Sequence, residues 1–144
     1  MEDAQVNHVQ SEPVAMERLL WVGPLAAISA AIANAVVYFV ASALGAMPQD
    51  FVVEGSGPIT LAPVVFSSSI GAVGAAMVFA IVALLARRPI RTFRIVSAVV
   101  LVLSFVTPLT IPGAPLSMIL TLELMHVVAA VIITGMLTTL ARAK

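Results

Sequence analysis

The sequence predicts an all-α integral membrane bundle of four transmembrane helices in an antiparallel, up-and-down arrangement. Three observations lead there. Of 144 residues, 61% are hydrophobic and only 10% are charged, whereas soluble domains run at roughly 45–50% apolar and about 25% charged. The apolar residues form four continuous blocks joined by short polar segments, and all seven Lys and Arg residues flank the same ends of those blocks. Continuous runs lack the alternation of a half-buried strand, and a bilayer admits only helices or closed barrels.

Residues 1–17 are polar, include Pro13 and show no apolar face. They read as a flexible cytoplasmic tail ahead of a four-helix transmembrane domain over residues 18–142. The first span covers about residues 19–46. Ala41-Ser42-Ala43 looks like a signal-peptide cleavage site, but the apolar stretch is about twice a signal core of roughly 7–15 residues. The expectation is an uncleaved span. Met47-Pro48 ends it, and Gly55-Ser56-Gly57-Pro58 marks a loop. The second span covers about residues 61–86, and Arg87-Arg88-Pro89-Ile90-Arg91 turns the chain. The third, about residues 93–109, is short against the roughly 20 residues that a spanning helix needs. Arg94 at its start must snorkel toward the headgroups. Residues 110–115 make a tight turn, so the third helix and the fourth (about residues 116–140) should be neighbours.

The charges orient the bundle. Arg18 precedes the first span, Arg87, Arg88, Arg91 and Arg94 join the second to the third, and Arg142 and Lys144 follow the fourth. The two opposite loops carry no Lys or Arg, so the positive-inside rule puts both termini in the cytoplasm. The four clustered arginines are first a topology signal and second candidate contacts for anionic lipid headgroups. A formal net charge of zero leaves no footprint for nucleic acid. The absence of cysteine excludes disulfides, thiolate metal sites and thiol redox chemistry.

Polar and small residues inside the spans carry what functional signal there is. Ala26, Ala30 and Asn34 form one stripe, with Ala27, Ala31 and Ala35 beside it; Ser67, Gly71 and Ala75 recur four apart, with Gly74 nearby. Such residues let helices approach closely, within the bundle or against a second copy or another membrane protein. Glu123 and His126 are the sharpest feature. Glu123 lies seven residues past Leu116, hence roughly 10 Å into the membrane, with His126 about 5 Å deeper on a shared face that continues through Ala130 and Thr134. An ionisable group there costs at least about 2.5–3.5 kcal/mol and should face the bundle interior. By depth, its partners are Asn34 and Tyr38 of the first span, Ser67, Ser68 and Ser69 of the second, and Ser104 and Thr107 of the third.

The candidate intramembrane polar site is therefore Glu123, His126, Asn34 and Tyr38. It reads either as a hydrogen-bonded network fixing helix register or as a protonatable site for ion or small-molecule movement. One Glu-x-x-His pair falls short of the two pairs and two further acids of a di-metal bundle, so neither metal nor other cofactor is expected. His8 reads as a solvated tail residue. No membrane-embedded nucleophile comes with a base and an orienting acid, which argues against an enzyme.

The alanine-rich first span with Asn34 and Tyr38, the Arg-rich joint, and Leu124-Met125-His126-Val127-Val128-Ala129-Ala130-Val131-Ile132 in the last span resemble a family of uncharacterised four-helix bacterial membrane proteins, a domain of unknown function. The resemblance runs from about Arg18 to Arg142. It implies four spans in a bacterial inner membrane and brings no activity with it. The expected role is a non-enzymatic structural or interaction subunit. The rival is a small proton-coupled transporter in which Glu123 carries the proton, and what separates them is whether Glu123 reaches a cavity or packs against Asn34, Tyr38 or His126.

The orientation is open to a direct test in this cysteine-free chain. Cysteines introduced at Ser11 and Ser56 should differ toward an impermeant maleimide in intact cells, with position 56 labelled and position 11 protected. The opposite pattern would invert the topology.

Overall fold

Helix α1 (Met16–Ala43) runs for 28 residues through Pro24 in the computed structural model, which describes residues 14–55 and 57–143. The expected tail up to Pro13, with His8, as well as Ser56 and Lys144, lies outside the described residues. Pro24 removes one intrahelical donor, a loss that membrane helices tolerate when neighbouring groups re-satisfy the backbone. The end of α1 is explicit in its hydrogen bonds. Ala46 N donates to Ala41 O at 2.8 Å and Gly45 N to Ser42 O at 3.0 Å, with Gly45 at φ 74°. This is a Schellman closure, whose left-handed residue glycine supplies without steric cost.

The segment after α1 contains a minimal antiparallel hairpin. Strand β1 (Val52–Val53) pairs with β2 (Gly57–Pro58), Val52 opposite Pro58 and Val53 opposite Gly57. Two-residue strands are below what sequence alternation can reveal. Helix α2 (Leu61–Leu85) follows, then α3 (Pro89–Ser104), α4 (Val106–Leu109) and α5 (Leu116–Leu140).

Four helical stretches are long and apolar enough to cross a membrane, the third being residues 89–109 taken together, 21 residues in all. The third span is thus not short. Pro89 opens α3 at its first turn, where a missing N–H costs nothing, and the helix takes in Arg91, which the apolar run beginning at residue 93 had left outside. The same span is interrupted at Phe105, which separates α3 from α4. The cause is Pro108: it has no N–H for the Ser104 carbonyl four residues earlier. Around the gap, Phe105 N reaches Val102 O at 3.3 Å and the Ser104 hydroxyl bonds back to Leu101 O at 2.7 Å.

Packing centres on α1. Its buried residues are mostly small, including Gly23, Ala26, Ala30 and Asn34, and α1 lies against both α2 and α5. A Cβ built on Gly23 would stand 3.4 Å from the Ala76 Cβ, and Asn34 bonds to Ser68, so contacts descend along α2 as they rise along α1. Two apolar clusters close the bundle. At the end bearing the start of α1 and the end of α5, Val22, Phe79, Phe93 and Leu137 pack together, with the Phe79 and Phe93 rings 4.7 Å apart. At the other end, Tyr38, Met47, Met118 and Met125 form the second. The terminal end is also stitched by polar bonds: Ala15 N to Ala141 O at 2.9 Å, Arg18 Nη1 to Arg142 O at 2.8 Å, and Arg142 Nε to Thr138 O at 2.9 Å. These arginines satisfy carbonyls that a helix C-terminus leaves open. Large side chains such as Leu20, Ile32, Phe66, Leu85, Leu103 and Val131 point outward, as a lipid-facing surface requires.

Candidate functional site

Between the two clusters, α2, α3 and α5 do not close on one another. They surround a half-enclosed cavity of about 510 Å³ with Asn34 of α1 also on its wall. Several residues that line it are exposed, including Ser67, Gly71 and Val78 on α2 and Val100 on α3, so the opening lies between α2 and α3. The small residues of α2 form part of this wall rather than a tight helix seam. A Cβ added to Gly71 or Gly74 would meet nothing within 4 Å. The stripe on α1, by contrast, is the packed one.

Asn34 and His126 are the two predicted site residues that the fold brings together on this wall. Asn34 is 4% exposed, and its amide orientation follows from its neighbour. The Ser68 hydroxyl gives its proton to Val64 O at 2.8 Å, so it can only accept from Asn34 Nδ2 at 2.9 Å. That leaves Asn34 Oδ1, which is buried and has no partner. The His126 ring is fixed in a similar way. Its Nδ1 lies 2.7 Å from Leu122 O, and a carbonyl only accepts, so Nδ1 carries the hydrogen. In the neutral ring Nε2 is then an acceptor.

Glu123 follows neither expected arrangement. It is half-buried, absent from the cavity wall, and hydrogen-bonded to none of Asn34, Tyr38 and His126; both carboxyl oxygens are buried without a partner. Residues three apart share a helix side only loosely, being about 60° offset around the axis at 3.6 residues per turn. That offset places His126 on the wall and Glu123 beside it. Tyr38 also stands apart from the cavity. Its hydroxyl points toward Gln49 Oε1 at 3.2 Å and Ile59 O at 3.4 Å, and Gln49 Nε2 donates to Met47 O at 3.0 Å. Tyr38 therefore pins the α1–α2 connection to the bundle.

The serines named by depth divide in the same manner. Ser67, Ser68 and Ser104 line the cavity, whereas Ser69 bonds back to Val65 O at 2.9 Å. Ser97 on α3 is a wall residue that the sequence reading missed; its signal was its spacing of seven from Ser104, two helical turns on one face. Arg87, Arg88, Arg91 and Arg94 are exposed around the α2–α3 turn, and Arg94 Nη2 reaches Thr138 Oγ1 at 3.4 Å. Among the described residues, no three His, Asp or Glu side chains gather as a metal site would need.

The chain belongs to a family of unknown function, DUF6069, whose model matches residues 14–143. No curated protein matches it, and no solved structure does.

The unpartnered carboxyl of Glu123 has a measurable consequence. A buried polar group without a hydrogen bond costs about 1–3 kcal/mol, so Glu123→Leu should raise thermal stability in detergent micelles by an amount of that order. Glu123→Gln, which keeps two polar atoms in the same place, should give no such gain. A marked loss of stability in Glu123→Leu would mean that the carboxyl has a partner after all.

Proposed function

We propose that this member of the family is a non-enzymatic, multi-pass membrane protein that acts as an interaction subunit by binding a small, apolar-bodied molecule within the bilayer. The cavity between α2, α3 and α5 carries this reading. Its 510 Å³ fall within the roughly 300–1,000 Å³ of ligand pockets, which are mostly apolar with a few polar groups that orient the guest. Its chemistry suits binding rather than reaction. The hydroxyls of Ser67, Ser68 and Ser104 give their protons to Val64 O, Val64 O and Leu101 O respectively, and His126 is tied to its own helix. The bacterial inner membrane is the proposed location, with both termini in the cytoplasm and Arg87, Arg88, Arg91 and Arg94 toward its anionic headgroups. The exposure of these four side chains at one end of the bundle supports that orientation.

Farnesol is a suitable probe, being apolar along its length and small enough to enter. In lipid nanodiscs, native mass spectrometry should detect one farnesol per wild-type chain. A tryptophan at Gly71, on the cavity wall and at its mouth, should abolish the complex while leaving the helical circular dichroism unchanged. Equal binding by wild type and Gly71→Trp would remove the cavity from the explanation.

The rival reading, proton-coupled transport, draws its support from the unpartnered Glu123 carboxyl one turn from the wall residue His126. It expects a proton flux in vesicles reconstituted with the wild type and its loss in Glu123→Gln. Wild-type vesicles no leakier to protons than empty ones would end that reading.

A further inference from the structure

The cavity is open on one side and carries no charge of its own. No Lys, Arg, Asp or Glu stands on its wall, and its mouth lies between α2 and α3, where Gly71, Val78 and Val100 are exposed. Below the mouth the two helices meet through the Phe79 and Phe93 rings, 4.7 Å apart. The short link that then joins them carries Arg87 and Arg88, both exposed. The mouth therefore has cations at one end only, since the loop beyond its other end holds Asp50 and Glu54 and no Lys or Arg. Arg91 and Arg94 serve another side of α3. Arg94 Nη2 reaches Thr138 Oγ1 on α5, about 120° around the axis from Val100, and Arg91, three residues earlier, shares that side.

We infer that the cavity receives one acyl chain of an anionic phospholipid whose phosphate sits at Arg87 and Arg88. The inference rests on the binding role proposed above and names the guest. An acyl chain suits this wall because it is apolar and asks for no hydrogen bond. The headgroup cannot follow it, because a phosphate inside would lose its hydration and find no counter-charge. It stays at the turn, where guanidinium groups match phosphate geometry. The distances agree. Along α3, the wall residues Phe93 and Ser97 stand five and nine positions past Arg88. That is about 7 and 13 Å of rise, against about 15 Å for one leaflet's share of the hydrocarbon core. A chain rooted at the turn thus enters the cavity, and one held extended goes deeper. A zwitterionic lipid could offer the same chain but would gain less from two adjacent cations.

Dioleoyl phosphatidylglycerol and dioleoyl phosphatidylcholine carry the same chains and differ in net charge, so the pair isolates the headgroup. From nanodiscs holding both in equal amounts, native mass spectrometry should find the wild type retaining the anionic lipid about tenfold more often, two arginines near a surface being worth at least that. Farnesol should displace it, because both occupy the cavity. Arg87→Gln/Arg88→Gln should lose the preference and still bind farnesol, whereas Arg91→Gln/Arg94→Gln should keep it; circular dichroism accompanies each variant. Equal retention of the two lipids by the wild type would overturn the inference, whether or not any variant folds. So would a preference that survives in folded Arg87→Gln/Arg88→Gln. Anionic lipid that farnesol does not displace, or that stays on folded Gly71→Trp, would sit on the arginines alone and overturn it as well. In all these cases, farnesol binding blocked by Gly71→Trp leaves the binding role intact. Wild type that binds neither farnesol nor lipid would remove the role itself.

Discussion

Lipid tails are as apolar as leucine, so helices in a bilayer gain little from burying hydrocarbon and must gain from close contact instead. Helix α1 meets this constraint with a face of glycine and alanine. Ala26 and Ala30 are fully buried, and Gly23 sits where a Cβ would already touch Ala76. Two partners, α2 and α5, can therefore approach one helix at backbone range. Asn34 adds a directed bond to Ser68 at the same interface, which fixes the height of α2 along α1. The third span has no comparable surface toward α1. It is held at the terminal end by the Phe79–Phe93 ring contact and by Arg94 with Thr138.

The cavity follows from that asymmetry. With α2 and α5 committed to α1, and α3 packed on those two and not on α1, the space among α2, α3 and α5 is bounded at each end by an apolar cluster. Side chains could have filled it. Several positions facing it are too small to do so, among them Ser67, Gly71 and Gly74 on α2 and Ala129 and Ala130 on α5. The break at Phe105 contributes as well, since it interrupts α3 near the level of Ser104, a wall residue. An enclosed void costs free energy in proportion to its size. A half-open one between membrane helices is instead a place for something to enter.

Much of this fold was legible from hydropathy because the rule that reads it is also the rule that builds it. The last helix, residues 116–140, was read with the limits it has, since Pro115 and the apolar run coincide there. The start of α3 was not, because Arg91 interrupts the apolar run without interrupting helical geometry. Arginine is a good helix former, and its long side chain can reach a headgroup from within the first turns. The candidate site was only half legible. Depth grouped Asn34, Ser68, Ser104 and His126, which line one cavity, but depth says nothing of azimuth. Glu123 and Tyr38 lie at plausible heights and on other sides of their helices. Gly71 and Gly74 looked like a packing seam for the same reason: small residues permit close approach, but only the neighbours decide whether anything approaches.

The sense of the wall's hydrogen bonding has a cause more general than this chain. A serine or threonine hydroxyl in a membrane helix has a carbonyl one turn back as its nearest acceptor, and it donates there, as Ser67, Ser68, Ser104, Thr121 and Thr138 all do. Once those protons are spent, the hydroxyls that face a cavity present lone pairs alone. Asn34 could have reversed that bias by turning its amide nitrogen inward, but Ser68 has already claimed that nitrogen. His126 could have done so through its ring proton, but Leu122 O holds it. Each constraint is local and modest, and together they leave a neutral pocket that lacks donors at the positions of Asn34 and His126. Glu123, set to one side of the wall with its carboxyl enclosed by protein, does not put a charge into that pocket.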